Sequence, residues 1–463
     1  MSIGRTIAAV STPRGTGGVA VIRITGDGVR EVIDASFSPA GGGSLFDRPA
    51  RVATYGTLRG ADGVPIDRVV VTYFEGPRSF TGEDVAEISC HGGVAVTAAV
   101  LGAVFEAGAD PAGPGEFTRR AFINGKMTLS EAEATGLLIS ADTPDRMKLA
   151  SSAASGVLSR KIASVSEKLT GALASLCAAI DYPDELVEDG NADPEGQILS
   201  AVREAREQIG AILATYKRGS AVVGGVRTVI CGAPNVGKSS LFNALTGEDD
   251  AIVTEIAGTT RDVLRKTVSF GGVTLLLSDT AGLRESDETV ESIGVERARK
   301  EAEAAELILC VFDGSRPLTD DEKKTASSLP GAAKIAVINK SDLAPGLTEA
   351  DKELLADSFG SVVAVCAKDG KTDELCSAVS SLFDGGAVDL TRDPVIWDAR
   401  RRADLSVAAS LLARAEEILA SGGPADAACA LCEEAAGRVA LTDGRGVTEE
   451  ILSEIFSRFC VGK

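Results

Sequence analysis

The sequence predicts a multidomain α/β protein: an N-terminal α+β domain, then a helical domain into which a doubly wound α/β domain is inserted. Three observations predict it. Short strand-like runs separated by Gly and Pro fill the first quarter of the chain, strands and helices alternate from Arg227 to about Phe383, and helical apolar spacing occupies the stretches on both sides of that alternation. At 463 residues and 44% hydrophobic content the chain is long and apolar enough for several cores. The segments that follow are 1–125, 126–222, 223–385 and 386–463. The second and fourth should pack together, because each amphipathic face needs a partner.

Within 1–125, strands are expected at Val19–Ile24, Arg68–Tyr73 and Val85–Ser89, with an Ala/Val helix after Gly92-Gly93. The run Arg14-Gly15-Thr16-Gly17-Gly18 looks like a dinucleotide loop, but a strand rather than a helix follows it, which rules that out. Helical spacing runs from Thr128 to about Tyr216, broken at Asp181-Tyr182-Pro183-Asp184, and returns from Asp398 onward.

Composition excludes several function classes. Asp and Glu outnumber Lys and Arg by 67 to 47, so a broad basic surface for nucleic acid is not expected; any RNA contact should be local, transient or shared with a partner. The acidity could equally serve solubility alone. One histidine, His91, leaves no His-based acid–base or metal chemistry, and a single Trp397 argues against extensive base stacking. The start of the chain lacks an apolar signal core and no run reaches the roughly 20 residues of a membrane span, so a cytoplasmic protein with reduced thiols is expected. Cys429 and Cys432 form a lone Cys-x-x-Cys in an Ala-rich helical stretch, which reads as helix packing rather than zinc.

The strongest signal is Gly232-Ala-Pro-Asn-Val-Gly237-Lys238-Ser239-Ser240, between the apolar strand Thr228–Cys231 and a helix beginning at Leu241. This is a phosphate loop in its strand–loop–helix setting: curled backbone amides and a helix N-terminus favour phosphate oxygens. Lys238 should reach the β- and γ-phosphates, and the Ser239 hydroxyl should ligate Mg2+. Asp279-Thr280-Ala281-Gly282 follows the strand Val273–Leu277, placing a carboxylate near the Mg2+ shell and the Gly282 amide near the γ-phosphate, while Thr260 can complete Mg2+ coordination. Asn339-Lys340-Ser341-Asp342 follows the strand Ile335–Ile338, and a carboxylate there accepts the two hydrogens that guanine, unlike adenine, presents. Cys366-Ala367-Lys368, after Val362–Val365, fits the last base-contacting loop. The GTP-binding set is therefore Asn235, Val236, Gly237, Lys238, Ser239, Ser240, Thr254, Glu255, Ile256, Ala257, Gly258, Thr259, Thr260, Asp279, Thr280, Ala281, Gly282, Asn339, Lys340, Asp342, Cys366, Ala367 and Lys368.

Small GTPases commonly orient the attacking water with a Gln just after the Asp-x-x-Gly element; here that position is Leu283, so other groups must serve. Asn235 and the Thr254–Thr259 loop could supply oxygens to a monovalent cation beside the phosphates, and Glu291 could position water. The plainer readings stay open: Asn235 as a loop-stabilising side chain, Glu291 as part of a solvated acidic face.

The phosphate loop, Ile256-Ala-Gly-Thr-Thr-Arg-Asp262, Asp279-Thr-Ala-Gly-Leu-Arg284 and the terminal Phe459-Cys-Val-Gly-Lys463 together resemble the MnmE family of tRNA-modifying GTPases. Thr12–Gly18, Ser79–Asp84, His91–Gly93 and Pro114–Phe122 match as well, so the resemblance spans essentially the whole chain. It implies a folate-binding N-terminal domain that dimerises, a split helical domain, and an inserted G domain whose GTP hydrolysis is stimulated by K+ when two G domains meet. By motif, Asn235, Thr254, Ile256 and Thr259 would contact K+, Ser239 and Thr260 Mg2+, and Glu291 would be catalytic, orienting water. The resemblance further implies a homodimer that acts with the FAD- and NADH-dependent flavoprotein MnmG, in a heterotetramer, on the wobble uridine of tRNA. An aminomethyl or carboxymethylaminomethyl group is added at C5, and a tetrahydrofolate (5-formyl- or 5,10-methylene-) supplies one carbon. Arg23, Glu83, Lys126 and Lys463 match the folate positions, with cations suited to the glutamate tail and a carboxylate to the pterin edge. Cys460 would lie near the folate if the tail folds back, and either supports the modification or is simply buried beside Phe459 and Val461. Cys366 stands where Ser is common, and Cys429–Gly446 departs from the family pattern. The competing reading is a ribosome-assembly GTPase switch, for which neither the folate-like residues nor the terminal Cys would be needed.

Overall fold

The structure, a computed structural model, describes residues 4–181, 194–247, 265–278, 305–329, 333–383 and 388–462. The chain divides into two compact units, Met1–Gly136 with Asp443–Lys463, and Leu137–Thr442.

The first unit is built on a seven-stranded sheet of order β3-β4-β5-β6-β2-β1-β7. Its strands are β1 (Ile7–Val10), β2 (Val19–Thr25), β3 (Phe37–Pro39), β4 (Thr54–Arg59), β5 (Pro65–Phe74), β6 (Val85–His91) and β7 (Asp110–Pro111). Alternation along β2 sends Ala20, Ile22 and Ile24 to one face, where they meet Val29 and Ile33 of α1 (Val29–Ser36) and Val100 and Val104 of α2 (Val94–Glu106). The opposite face carries Ile7 and Ala9, which pack with Phe80 and with Phe117 of α3 (Glu116–Ile123). Arg23 shares that face, since it pairs with Ala9 on one side and Glu87 on the other.

The residues that end the chain close this unit. Leu452 and Phe456 of the helix Glu449–Ser457 pack with Leu129 and Ala132 of α4 (Leu129–Ser140) and with Phe122 and Phe459. The Ser130 hydroxyl donates to Asp443 Oδ1 at 2.9 Å, and Arg119 pairs with Glu449. Beyond them Val461 bridges Pro114, the Gly115 amide donates to the Cys460 carbonyl at 3.3 Å, and Ser11 Oγ donates to the Gly462 carbonyl at 3.0 Å. Gly462 holds φ +95°, and a Cβ there would stand 2.3 Å from the Val10 carbonyl, so only glycine lets the tail lie this close.

The second unit begins with α5 (Pro144–Ala154), which Thr143 caps, α6 (Val157–Asp181), α7 (Pro194–Ala214) and α8 (Tyr216–Val223). A six-stranded sheet follows, of order β13-β12-β11-β8-β10-β9: β8 (Val226–Gly232), β9 (Arg265–Phe270), β10 (Val273–Ser278), β11 (Leu307–Asp313), β12 (Ala333–Asn339) and β13 (Ser361–Ala364). All neighbours are parallel except β9 with β10. Helices cover both faces, as a parallel sheet requires. Leu241 and Leu245 of α9 (Lys238–Leu245) lie in one core with Leu375 and Val379 of the later helix Asp373–Phe383. Ala326 of α10 (Asp320–Ser328) and Leu355 of α11 (Glu349–Ser358) lie in the other, with Phe312. Numbering Asp373–Phe383 as α12, the chain then returns through α13 (Ala399–Ala420) and α14 (Ala425–Thr442). Their Leu405, Leu412, Cys432 and Val439 share a core with Leu158, Ile162 and Leu169 of α6 and Val202 and Ile209 of α7, so the two flanks make one helical bundle around the inserted domain.

Several elements differ from the sequence expectation. The helix after the phosphate loop starts at Lys238, not Leu241, because Gly237 at φ +100° turns the chain straight into it. Strands β1, β4, β9 and β11 and helix α1 were not individually expected.

Candidate functional site

In the phosphate loop Asn235 adopts φ +61°, a conformation that Asn tolerates better than most residues. Lys238 folds over the loop and donates through Nζ to the carbonyls of Gly232 (2.9 Å) and Ala233 (2.8 Å). Burial holds its ammonium below the usual lysine value. Ser239 and Ser240 are exposed at the mouth of the loop. The residues present fit a phosphate chain: a lysine bonded only to carbonyls, at the N-terminus of an eight-residue helix, offers positive charge with no carboxylate answering it among the described residues.

Asn339 stitches this loop to the base side. It is 3% exposed, its Nδ2 donates to the Val236 carbonyl at 2.9 Å, and its Oδ1 accepts from the Ala367 amide at 3.1 Å. A Cβ on Gly237 would lie 2.1 Å from Asn339 Nδ2, so the second loop glycine is dictated by that stitch. Lys340, at φ +65°, is held by Asp313 at 2.6 Å. Burial pushes the Asp313 carboxyl up, but hydrogen bonds from Lys340 and Ser315 outweigh it and leave it at about 2. Asp342 is exposed and accepts from Cys366 Sγ at 3.3 Å, and Lys368 is exposed beside it in sequence. The structure thus gathers Asn235, Val236, Gly237, Lys238, Asn339 and Ala367 around one loop, with Asp342 and Cys366 paired next to it. Thr254, Glu255, Ile256, Ala257, Gly258, Thr259, Thr260, Asp279, Thr280, Ala281, Gly282 and Glu291 lie outside the described residues; Ser278, which ends β10, leads directly to Asp279.

In the first unit, three of the four residues expected to bind folate meet the loop Gly76–Asp84. Arg23 stacks over Phe80 (5.0 Å) and Phe117 (5.9 Å) and donates through Nε and Nη2 to Glu87 Oε1 at 2.9 and 2.7 Å. Its Nη1 is buried with no partner among the described residues. Glu83 accepts from Thr25 and Arg120, both at 3.0 Å and both on Oε2, and Lys126 Nζ donates to the Pro77 carbonyl at 2.9 Å. Arg23 is therefore no ordinary surface charge. Lys463 lies outside the described residues, although its neighbour Gly462 packs against Val10. The Cys460 side chain is exposed, so the burial reading for it is not met here.

The family models bear on the whole chain. Residues 6–126 match the model for the GTP-binding protein TrmE N-terminus, and residues 129–460 match that for the MnmE helical domain. The tRNA modification GTPase MnmE of Heliobacterium modesticaldum is 40% identical over 100% of both chains, and that of Moorella thermoacetica 39% identical over 99% of both. The chain belongs to the MnmE family of tRNA modification GTPases. Among solved structures, Aquifex aeolicus Era bound to GDP and aluminium fluoride is 24% identical over 40% of this chain and 66% of that one, with a TM-score of 0.27.

As an MnmE-family member the chain is a GTP hydrolase, and two of its structurally telling residues escaped the sequence reading. Asp313 ends the buried strand β11, and an Asp-Gly after an apolar run was its only signal. Arg120 is 6% exposed and bonds Glu83, Glu116 and the Arg5 carbonyl at 3.0, 3.0 and 2.8 Å, which fixes the Glu83 carboxylate. Among the described residues no helix of this MnmE-family chain is long and apolar enough to cross a membrane. Nor do any three His, Cys, Asp or Glu side chains there cluster as metal ligands; Cys429 and Cys432 instead face the helical core.

Proposed function

We propose that the protein hydrolyses GTP in the service of tRNA wobble-uridine modification; the names of its relatives give the coarser description, a tRNA modification GTPase. In this reading it works with an MnmG-like FAD/NADH flavoprotein, the two sharing the tRNA contact in a heterotetramer. It is itself a homodimer through residues 1–125, with 223–385 as the G domain and 126–222 and 386–463 as the helical scaffold. The pair adds an aminomethyl or carboxymethylaminomethyl group to C5 of the uridine, and a reduced folate supplies the one-carbon unit when bound.

The observation that carries the folate part is Arg23. A guanidinium pinned between two rings, with one buried nitrogen unanswered, is suited to receive a carboxylate such as that of a folate glutamate tail. Glu83, fixed by Arg120 and Thr25 through Oε2, keeps Oε1 for the donor edge of a pterin. Lys126 and Lys463 complete the set.

At the nucleotide, Lys238 holds the β- and γ-phosphates, and Asp342, Asn339, Lys340 and Ala367 read the guanine. Ser239 and Thr260 would hold Mg2+, which neutralises phosphate charge. Asn235, Thr254, Ile256 and Thr259 would hold K+, which supplies the positive charge that an arginine finger provides elsewhere, worth about 10³–10⁵ in rate. Glu291 orients the attacking water.

Titration of the full chain with 5-formyltetrahydrofolate tests the first part. Binding should weaken at least about tenfold in Arg23→Ala, the loss of one charge-assisted carboxylate contact, while GTP affinity holds. Absence of binding to the wild type would refute the folate assignment. Faster hydrolysis in K+ than in Na+ at equal ionic strength is expected, and equal rates would remove the cation. Wobble uridines unmodified in cells lacking the protein are expected, whereas intact modification with accumulating ribosome precursors would favour an assembly switch instead.

A further inference from the structure

Three of the nine cysteines sit where the helical bundle joins its two flanking segments. Cys177 lies near the end of α6 and is exposed, whereas Cys429 and Cys432 lie on α14 and are buried. The Sγ atoms of Cys177 and Cys429 are 3.8 Å apart, although 252 residues separate them in the chain. A disulfide needs an S–S distance of about 2.05 Å, so closure asks the two sulfurs to approach by about 1.8 Å. Cys432 shares a helix with Cys429 at a spacing of three residues and is fully buried. Alone of the three, Cys177 meets solvent.

We propose that Cys177 and Cys429 form a redox-responsive dithiol that closes to a disulfide under hydrogen peroxide, covalently stapling the helix before the inserted GTPase domain to a helix after it. The chemistry balances in two steps. The Cys177 thiol gives up its proton and its sulfur attacks one peroxide oxygen, the O–O bond breaks, and the departing hydroxide takes up that proton, leaving a Cys177 sulfenic acid and water. The Cys429 sulfur then attacks the Cys177 sulfur, the S–O bond breaks, the Cys429 proton leaves with the hydroxyl as a second water, and the S–S bond forms. Exposure and burial assign the order. Cys177 meets the oxidant, whereas burial pushes the Cys429 thiol up to about 11 and keeps it protonated and inert toward peroxide itself.

Oxidation is thereby channelled into the scaffold rather than into the nucleotide pocket. A reducing compartment keeps the pair open, which makes the staple transient, as disulfides in such compartments are. Among the described residues, neither thiol shares a hydrogen bond with a residue assigned to nucleotide or folate.

The test treats the full chain with hydrogen peroxide, quenches free thiols by alkylation and maps linkages by peptide mass spectrometry and non-reducing electrophoresis. The expected result is a Cys177–Cys429 peptide as the dominant link, with a faster-migrating monomer band that dithiothreitol reverses. Cys177→Ser should abolish both, and Cys432→Ser should leave both. Because Cys177 is on the surface, its replacement leaves the core intact, and an unchanged circular dichroism spectrum checks this. Any of three results overturns the proposal: both thiols still alkylated after oxidation, a Cys177-linked dimer in place of the monomer band, or the shifted band persisting in Cys177→Ser.

Discussion

Removing the Asn339 side chain tests whether the nucleotide site is held together as its geometry implies. In Asn339→Ala the Val236 carbonyl and the Ala367 amide both lose their partner, and both residues are buried, at 0% and 6% exposure. Each orphaned buried group costs about 1–3 kcal/mol, and with a water molecule entering the vacated space the pair should cost about 2–4 kcal/mol. Both groups belong to loops that hold the nucleotide in the proposed reading, so the loss should appear as weaker binding. At about 1.4 kcal/mol per tenfold this is about 30- to 700-fold in the dissociation constant for a fluorescent GDP analogue. Asn339→Asp keeps the acceptor for Ala367 but turns a carboxylate oxygen toward the Val236 carbonyl, and should also fall short of wild type. Titration fluorimetry beside a thermal melt separates affinity from global stability. An affinity within threefold of wild type, with the melt unchanged, would show that the two loops do not depend on this side chain.

The ion pair beneath Lys340 gives a pH signature. The folded Asp313 carboxyl sits at about 2, below the ordinary value, so its stabilisation is present above about pH 4 and is lost as pH falls through about 2. Asp313→Asn should therefore melt lower than wild type at neutral pH, by an amount equivalent to about 1–2 kcal/mol. The two melting curves should converge between about pH 4 and pH 2, and a constant gap there would discount the pair. Gly462→Ala puts a methyl group into the Val10 carbonyl and should release the tail, a local cost of about 1–3 kcal/mol. Hydrogen exchange at the Gly115 amide, which donates to the Cys460 carbonyl, should accelerate, with GTP hydrolysis unaltered; undiminished protection would mean that the tail tolerates the side chain. Deleting residues 460–463 should abolish wobble modification while sparing GTPase activity, and a fully active truncation would dismiss the tail.

Where a strand and a motif support each other, the sequence is legible. Strands β8, β10 and β12 are apolar runs that each lead into a motif expected to bind nucleotide, and their placement follows from that order. Strand β4, Thr-Tyr-Gly-Thr-Leu-Arg, resists such reading because Gly56 weakens its propensity. The glycine is there because a Cβ would meet the Phe37 ring at 2.5 Å, a contact made by tertiary structure alone. The strand β11 is buried along its whole length and so shows no alternation, which hides Asp313 at its end. Nor does a local pattern reveal that Gly462 belongs beside Val10, since backbone atoms 451 residues from Ser11 supply that contact. Arg120 stayed hidden for a related reason: Glu116 is its local i,i+4 partner, but Glu83 becomes a partner only once α3 lies against the Gly76–Asp84 loop.

The closure of the first unit by the tail bears on how the protein is made. A ribosome must translate through Gly462 before Ser11 finds its hydrogen-bond acceptor and before Leu129 is covered by Leu452 and Phe456. The opening domain therefore waits, incompletely covered, while more than three hundred intervening residues emerge and fold. A nascent chain interrupted anywhere in that span would present its Leu129–Ala132 surface uncovered, a feature by which chaperones and proteases could tell unfinished copies from finished ones.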